Sequence, residues 1–141
     1  MMNAAGIALI VHFVGLLLWV GGAAACAWTA AGLVSAGETK ALSAVRSALL
    51  AVVLPGMLLA LAGGLARLIP GWSTSYAHAP WMHTKLLLGL VLAGLHGMLV
   101  ARVRKAASGQ PATPGIFVGI GATYAVVALI AASLAVLRPG G

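Results

Sequence analysis

Acidic side chains are almost missing: Glu38 is the only carboxylate residue among 141, against eight Lys and Arg, for a formal net charge of +7. Paired carboxylates for general acid–base or glycosidase-type chemistry are therefore excluded. Cysteine is as scarce. Cys26 stands alone, so there is no intramolecular disulfide and no CxxC or Cys/His spacing for a structural zinc ion, and it is expected as a small core residue. Neither a serine triad nor a glycine-rich phosphate loop is visible. Charged residues of both signs make up 6% of the chain, far below the ~25% of an average soluble domain.

Apolar residues fill the gap. The chain is 62% hydrophobic with a mean hydropathy of +1.12, the composition of an integral membrane protein. Residues 1–37 carry no formal charge, whereas a secretory signal peptide would show a basic start and a short apolar core. The first segment is therefore expected to be a retained helix. Uncharged runs at 47–66, 86–101 and 106–137 complete four spans across a hydrocarbon layer ~30 Å thick. The expectation is an all-α, four-helix membrane bundle in a single domain over 1–141, with helices at about 4–33, 41–69, 81–103 and 114–137.

The basic residues lie at segment ends and read as topology signals, not as a nucleic-acid surface. Lys40, Arg102, Arg104 and Lys105, with Arg46 nearby, share one face; Arg67, Lys85 and Arg138 share the other. This bias predicts that the first face is cytoplasmic and that both termini lie outside. Residues 35–39 read as a tight turn, 70–75 as a longer loop, Pro80 as the opening of helix three, and 108–114 as a linker with Thr113 as cap and Pro114 in the first helical turn. Trp72, Tyr76 and Trp81 surround the second loop at headgroup level.

Nineteen glycines include Gly15, Gly21, Gly22, Gly63 and Gly64 inside predicted helices, where small residues let membrane helices approach closely. His12, Gly15, Trp19 and Gly22 recur at helical steps and form one stripe. That stripe makes room either for a neighbouring helix or for a planar ligand. Helix four carries Gly119, Gly121, Ala128, Ala131, Ala132 and Ser133, a surface suited to oligomer contacts.

Any metal ligand must come from His12, His78, His83 or His96, with Met57, Met82 and Met98 as softer candidates. His78 is expected to face water. His83 and His96 are separated by about 20 Å along a helix and roughly 220° around it, so they cannot bind one ion. His12 is expected about 12 Å and His83 about 4 Å below one face, a mismatch no larger than the error of the helix ends. His96 lies near the opposite face at the level of Arg46, and the two are expected to form a second polar locus. Lys85 and His96 share a face of helix three, and Lys85 is close enough to a helix end to snorkel.

His12 with Trp19-Val20-Gly21-Gly22, Arg46 nine residues before Pro55, then Trp81-Met82-His83-Thr84-Lys85-Leu86 and His96, resemble the bacterial HemJ-type protoporphyrinogen IX oxidases. Part of the pattern is similar to the copper-resistance protein D membrane domain. The resemblance covers roughly residues 7–105. It implies a multi-pass protein of the bacterial inner membrane that binds haem b, oxidises a porphyrin substrate and passes electrons to quinone. It also implies His12 and His83 as axial ligands, with His96 as the alternative second ligand or a proton relay. Arg46 and Lys85 would pair with propionates, and Trp19 and Trp81 would pack on a macrocycle. Two other classes stay open, a copper transporter and a small accessory subunit of a larger membrane complex. Membrane lipid and further copies of the chain are the expected partners.

Overall fold

A computed structural model describes residues 3–137 as four long helices: α1 (Ala4–Ser35), α2 (Thr39–Tyr76), α3 (Pro80–Ala107) and α4 (Pro114–Leu137). Each is long and apolar enough to cross a membrane, and the described residues include no strand. Arg138 lies outside the described residues. The all-α four-helix membrane architecture is the one the hydropathy pattern predicts.

Local chemistry sets the helix ends. Asn3 Oδ1 accepts from the Gly6 amide at 2.8 Å, satisfying one of the unpaired donors at the start of α1. Pro80 and Pro114 open α3 and α4, where a missing N–H is harmless. α1 and α3 close in the same way. Gly37 at φ +75° and Gly109 at φ +83° let the chain reverse, with Glu38 N bonded to Leu33 O at 2.9 Å and Gln110 N to Lys105 O at 3.1 Å. With Gly37 N to Val34 O and Gly109 N to Ala106 O, these make the paired bonds of a left-handed glycine cap at each end.

The expected loop at 70–75 is helical instead. Pro70 withdraws one amide, but the following turn widens, with Ala77 N bonded to Trp72 O at 2.8 Å. Local widening of this kind is how membrane helices accommodate proline. The connection to α3 is correspondingly short, and its aromatic rings do cluster: Tyr76 meets Trp81 edge-on at 6.1 Å between centroids.

α1 and α2 pack backbone against backbone along Ala4–Leu16 and Leu54–Gly71. A Cβ on Gly63 would lie 2.6 Å from both Ala8 O and His12 N, and one on Gly56 would lie 2.8 Å from Trp19 N. Gly15 faces Ala60 in the same manner. The glycine stripe of α1 therefore makes room for α2, not for a planar ligand.

Towards the end bearing Gly37 and Gly109, here the basic end, all four helices close on one core. Ala23, Ala27 and Ala30 of α1, Leu42, Val45 and Leu49 of α2, Leu99 and Val103 of α3, and Phe117 and Ile120 of α4 are buried there. The Tyr124 hydroxyl donates to Leu92 O at 3.1 Å and ties α4 to α3. Tyr124→Phe is expected to lower stability by about 1 kcal/mol, measurable as a fall in the unfolding midpoint in detergent.

At the opposite end, where α1 begins and α4 ends, the pairs separate. α3 does not pack to any extent against Ala4–Leu16 or Leu54–Gly71. Between Trp81 and Leu92 it buries no side chain fully, nor does α4 beyond Val127. The bundle is closed at its basic end and cleft at its terminal end.

Candidate functional site

His12 stands on the α1–α2 wall of this cleft, and the glycines of α2 hold it there. Gly63 brings the two backbones together, while a side chain at Gly64 would begin 3.1 Å from His12 Nδ1. That Nδ1 lies 2.6 Å from Ala60 O. A carbonyl only accepts, so Nδ1 carries the hydrogen and Nε2 of the neutral ring keeps its lone pair. Metal-ligating histidines are commonly anchored through their second nitrogen in this way.

Two cations lie within electrostatic range of the same ring. The Lys85 ammonium from α3 and the Arg67 guanidinium from α2 both act electrostatically on His12. Lys85 is half-buried and Arg67 exposed. Among the described residues no acidic side chain accompanies them, since Glu38 belongs to the basic end.

Depths follow from the mid-bundle contacts. Trp19, Tyr124 and Leu92 lie at one level, because the Trp19 indole nitrogen lies beside the Tyr124 hydroxyl, which bonds Leu92 O. At 1.5 Å per residue, His12 and His83 both stand above that level and differ in depth by about 3 Å. His96 lies below it, about 16 Å from His12 along the bundle. His12 and His96 therefore cannot share one metal ion, whereas His83 lies at nearly the depth of His12.

His83 is exposed and donates through Nε2 to Ala77 O at 2.9 Å, with its ring edge-on to Trp72 at 5.6 Å. Its Nδ1 is the nitrogen with the free lone pair. His78 is exposed, as expected for a residue facing water. Among the described residues, no group of three His, Cys, Asp or Glu is placed to hold a metal ion.

The second polar locus takes a different form from the expected one. His96 is 5% exposed and its Nδ1 has no hydrogen-bond partner, while Arg46 points out of the core and forms no bond with it. One helical turn before His96, the Leu92 carbonyl accepts from the Tyr124 hydroxyl. Trp19 Nε1 is also buried without a bond of good geometry. Trp19, at 2% exposure, is a core residue and not a cleft wall, and Trp81 is packed against Tyr76. Arg46 is some 20 Å from the level of Ala60 along α2, so it is not brought to His12.

Sequence reasoning overlooked Arg67, the Ala60 carbonyl and Tyr124. A signal for the first two was present: Ala60, Gly63, Gly64 and Arg67 recur at three- and four-residue steps and so share one face of α2. A lone tyrosine in an apolar helix offers no such signal. Compared with known proteins, the chain matches no family model, no curated protein and no solved structure.

Proposed function

We propose that this protein is a haem b-binding membrane oxidoreductase of the HemJ type, oxidising protoporphyrinogen IX and delivering electrons to quinone. One observation carries the reading: His12 is anchored through Nδ1 to Ala60 O, leaving Nε2 as a ligand at the depth of His83, beside Lys85 and Arg67. An imidazole of fixed tautomer and a pair of cations match the axial nitrogen and propionate partners that a haem requires. His12 Nε2 and His83 Nδ1 are the nitrogens that would hold the iron.

When bound, the haem supplies one-electron redox chemistry. The substrate loses six electrons and six protons, and three quinones take them up as three quinols, so the reaction balances without oxygen. Lys85 and Arg67 bind and orient carboxylates, Arg67 filling the position that sequence reasoning assigned to Arg46. His96, a buried imidazole with an unpartnered Nδ1, is the group assigned to proton transfer. The setting is a bacterial inner membrane with both termini outside, and the small-residue face of α4 around Gly119 and Ala128 serves contact with a second copy or a larger complex.

Arg67→Gln is expected to weaken haem or porphyrin retention roughly tenfold, the loss of one charge-assisted hydrogen bond, read by titration of the apoprotein with haemin. The activity is tested in vesicles containing the protein and a quinone under anaerobic conditions. Porphyrin fluorescence should rise on adding protoporphyrinogen, in step with quinol formation. Haem-loaded protein that forms no porphyrin faster than empty vesicles would refute the oxidase assignment. Copper transport has less support, because Met57 packs against the core and Met98 is exposed, and among the described residues no three His, Cys, Asp or Glu are placed to hold a metal ion.

A further inference from the structure

A separate cavity lies at the basic end, where the last turn of α3 meets the first turn of α4. It has a volume of about 230 Å³ and is lined by Arg102, Lys105, Gln110, Thr113, Ile116 and Phe117, among others. That is below the ~300–1,000 Å³ of pockets for drug-sized ligands, so it suits a headgroup and not a macrocycle.

Its chemistry is one-sided. Arg102 and Lys105 are three residues apart and project from neighbouring positions on α3. The left-handed Gly109 turns the chain so that Gln110 and Thr113 close the other side. Thr113 makes no capping hydrogen bond with its hydroxyl, although Ile116 N reaches Thr113 O at 3.1 Å, so the sequence expectation of a Thr113 side-chain cap is not met. The first turn of α4 adds the positive end of a helix dipole. No carboxylate lines the cavity, and Glu38, the one acidic side chain, forms no ion pair with a described residue. The floor is apolar: Phe117 is 1% exposed, and Ile116 at the rim is 37% exposed.

We propose that this cavity binds the phosphate of an anionic phospholipid, with Arg102 and Lys105 as the anion-pairing groups and Thr113 and Gln110 as neutral hydrogen-bonding groups. The position selects a lipid over a soluble phosphate. The cavity sits at the end of two membrane-spanning helices, where headgroups lie, and Ile116 leads from it onto the lipid-facing side of α4. Arg104 supplies an internal control. It carries the same charge two residues from Arg102 but does not line the cavity.

The test uses the full chain, delipidated in a neutral detergent, with phosphatidylglycerol and phosphatidylcholine of identical acyl chains titrated and counted by native mass spectrometry. Phosphatidylglycerol should bind and phosphatidylcholine should not. The double variant Arg102→Gln/Lys105→Gln should lose roughly tenfold or more in affinity, while Arg104→Gln stays within about twofold of the parent. All three side chains are exposed, so the fold is expected to persist, and circular dichroism checks this. Equal losses in the double variant and Arg104→Gln would overturn the site in favour of diffuse surface attraction. Glycerol phosphate without acyl chains binding as tightly as the lipid would overturn the assignment of a lipid ligand.

Discussion

Gly15→Ala is expected to destabilise the protein by about 3 kcal/mol, the upper end of the usual range for overpacking. A methyl group there meets the α2 backbone at Ala60, and Gly56 O is 2.7 Å away. Backbone atoms cannot swing aside as a side-chain tip can, so the two helices must separate along their contact. Gly32→Ala is the matched control, because nothing lies within 4 Å of its added carbon. It should gain up to about 1 kcal/mol from the better helix propensity of alanine. Unfolding by denaturing detergent, followed by circular dichroism, separates the two. Equal stability of the two variants would mean that α1 and α2 do not approach as closely as described.

The same contact governs the site, since Gly63 lies against His12 N and Ala60 holds the His12 ring. The three intramembrane histidines should accordingly differ in kind. His12→Ala removes the pre-oriented ligand and is expected to abolish haem retention. His83→Ala removes the second candidate nitrogen and should leave haem more weakly held. His96→Ala should leave the haem spectrum unchanged, because His96 lies about 16 Å deeper, while slowing turnover about 10²-fold or more if the proton is handled there. Loss of haem in the His96 variant with retention in the His12 variant would reverse the assignment.

Much of the fold was legible in the sequence because it depends on one-dimensional signals. Uncharged stretches separated by Gly37 and Gly109 turns and opened by Pro80 and Pro114 locate the spans and their reversals. Pro70 misled: a proline read as a loop start is absorbed by a widened turn at Trp72–Tyr76. The faces of the helices were harder to read. Membrane spans are apolar all round, so periodicity does not tell a lipid-facing side from a packed one. This is why the stripe from His12 to Gly22 left two occupants open, and only the Ala60 and Val53 contacts identify the neighbour as α2.

The site was legible in part for the same reason. His12, His83 and Lys85 stand out as ionisable groups in apolar sequence, and depth counting along each helix puts them towards the same end of the bundle. Arg46 and Arg67 look alike in the sequence, both single cations on the second span. Which one reaches His12 depends on how the two helices slide past each other, and that is set by the close approach at Gly56, Ala60 and Gly63.

The most direct measurement is the optical spectrum of the purified protein in detergent, oxidised and then dithionite-reduced, after expression with ample haem, alongside His12→Ala. A b-type haem spectrum in the parent that disappears in the variant is the predicted result. A featureless spectrum in the parent, or one that survives intact in His12→Ala, would contradict the account.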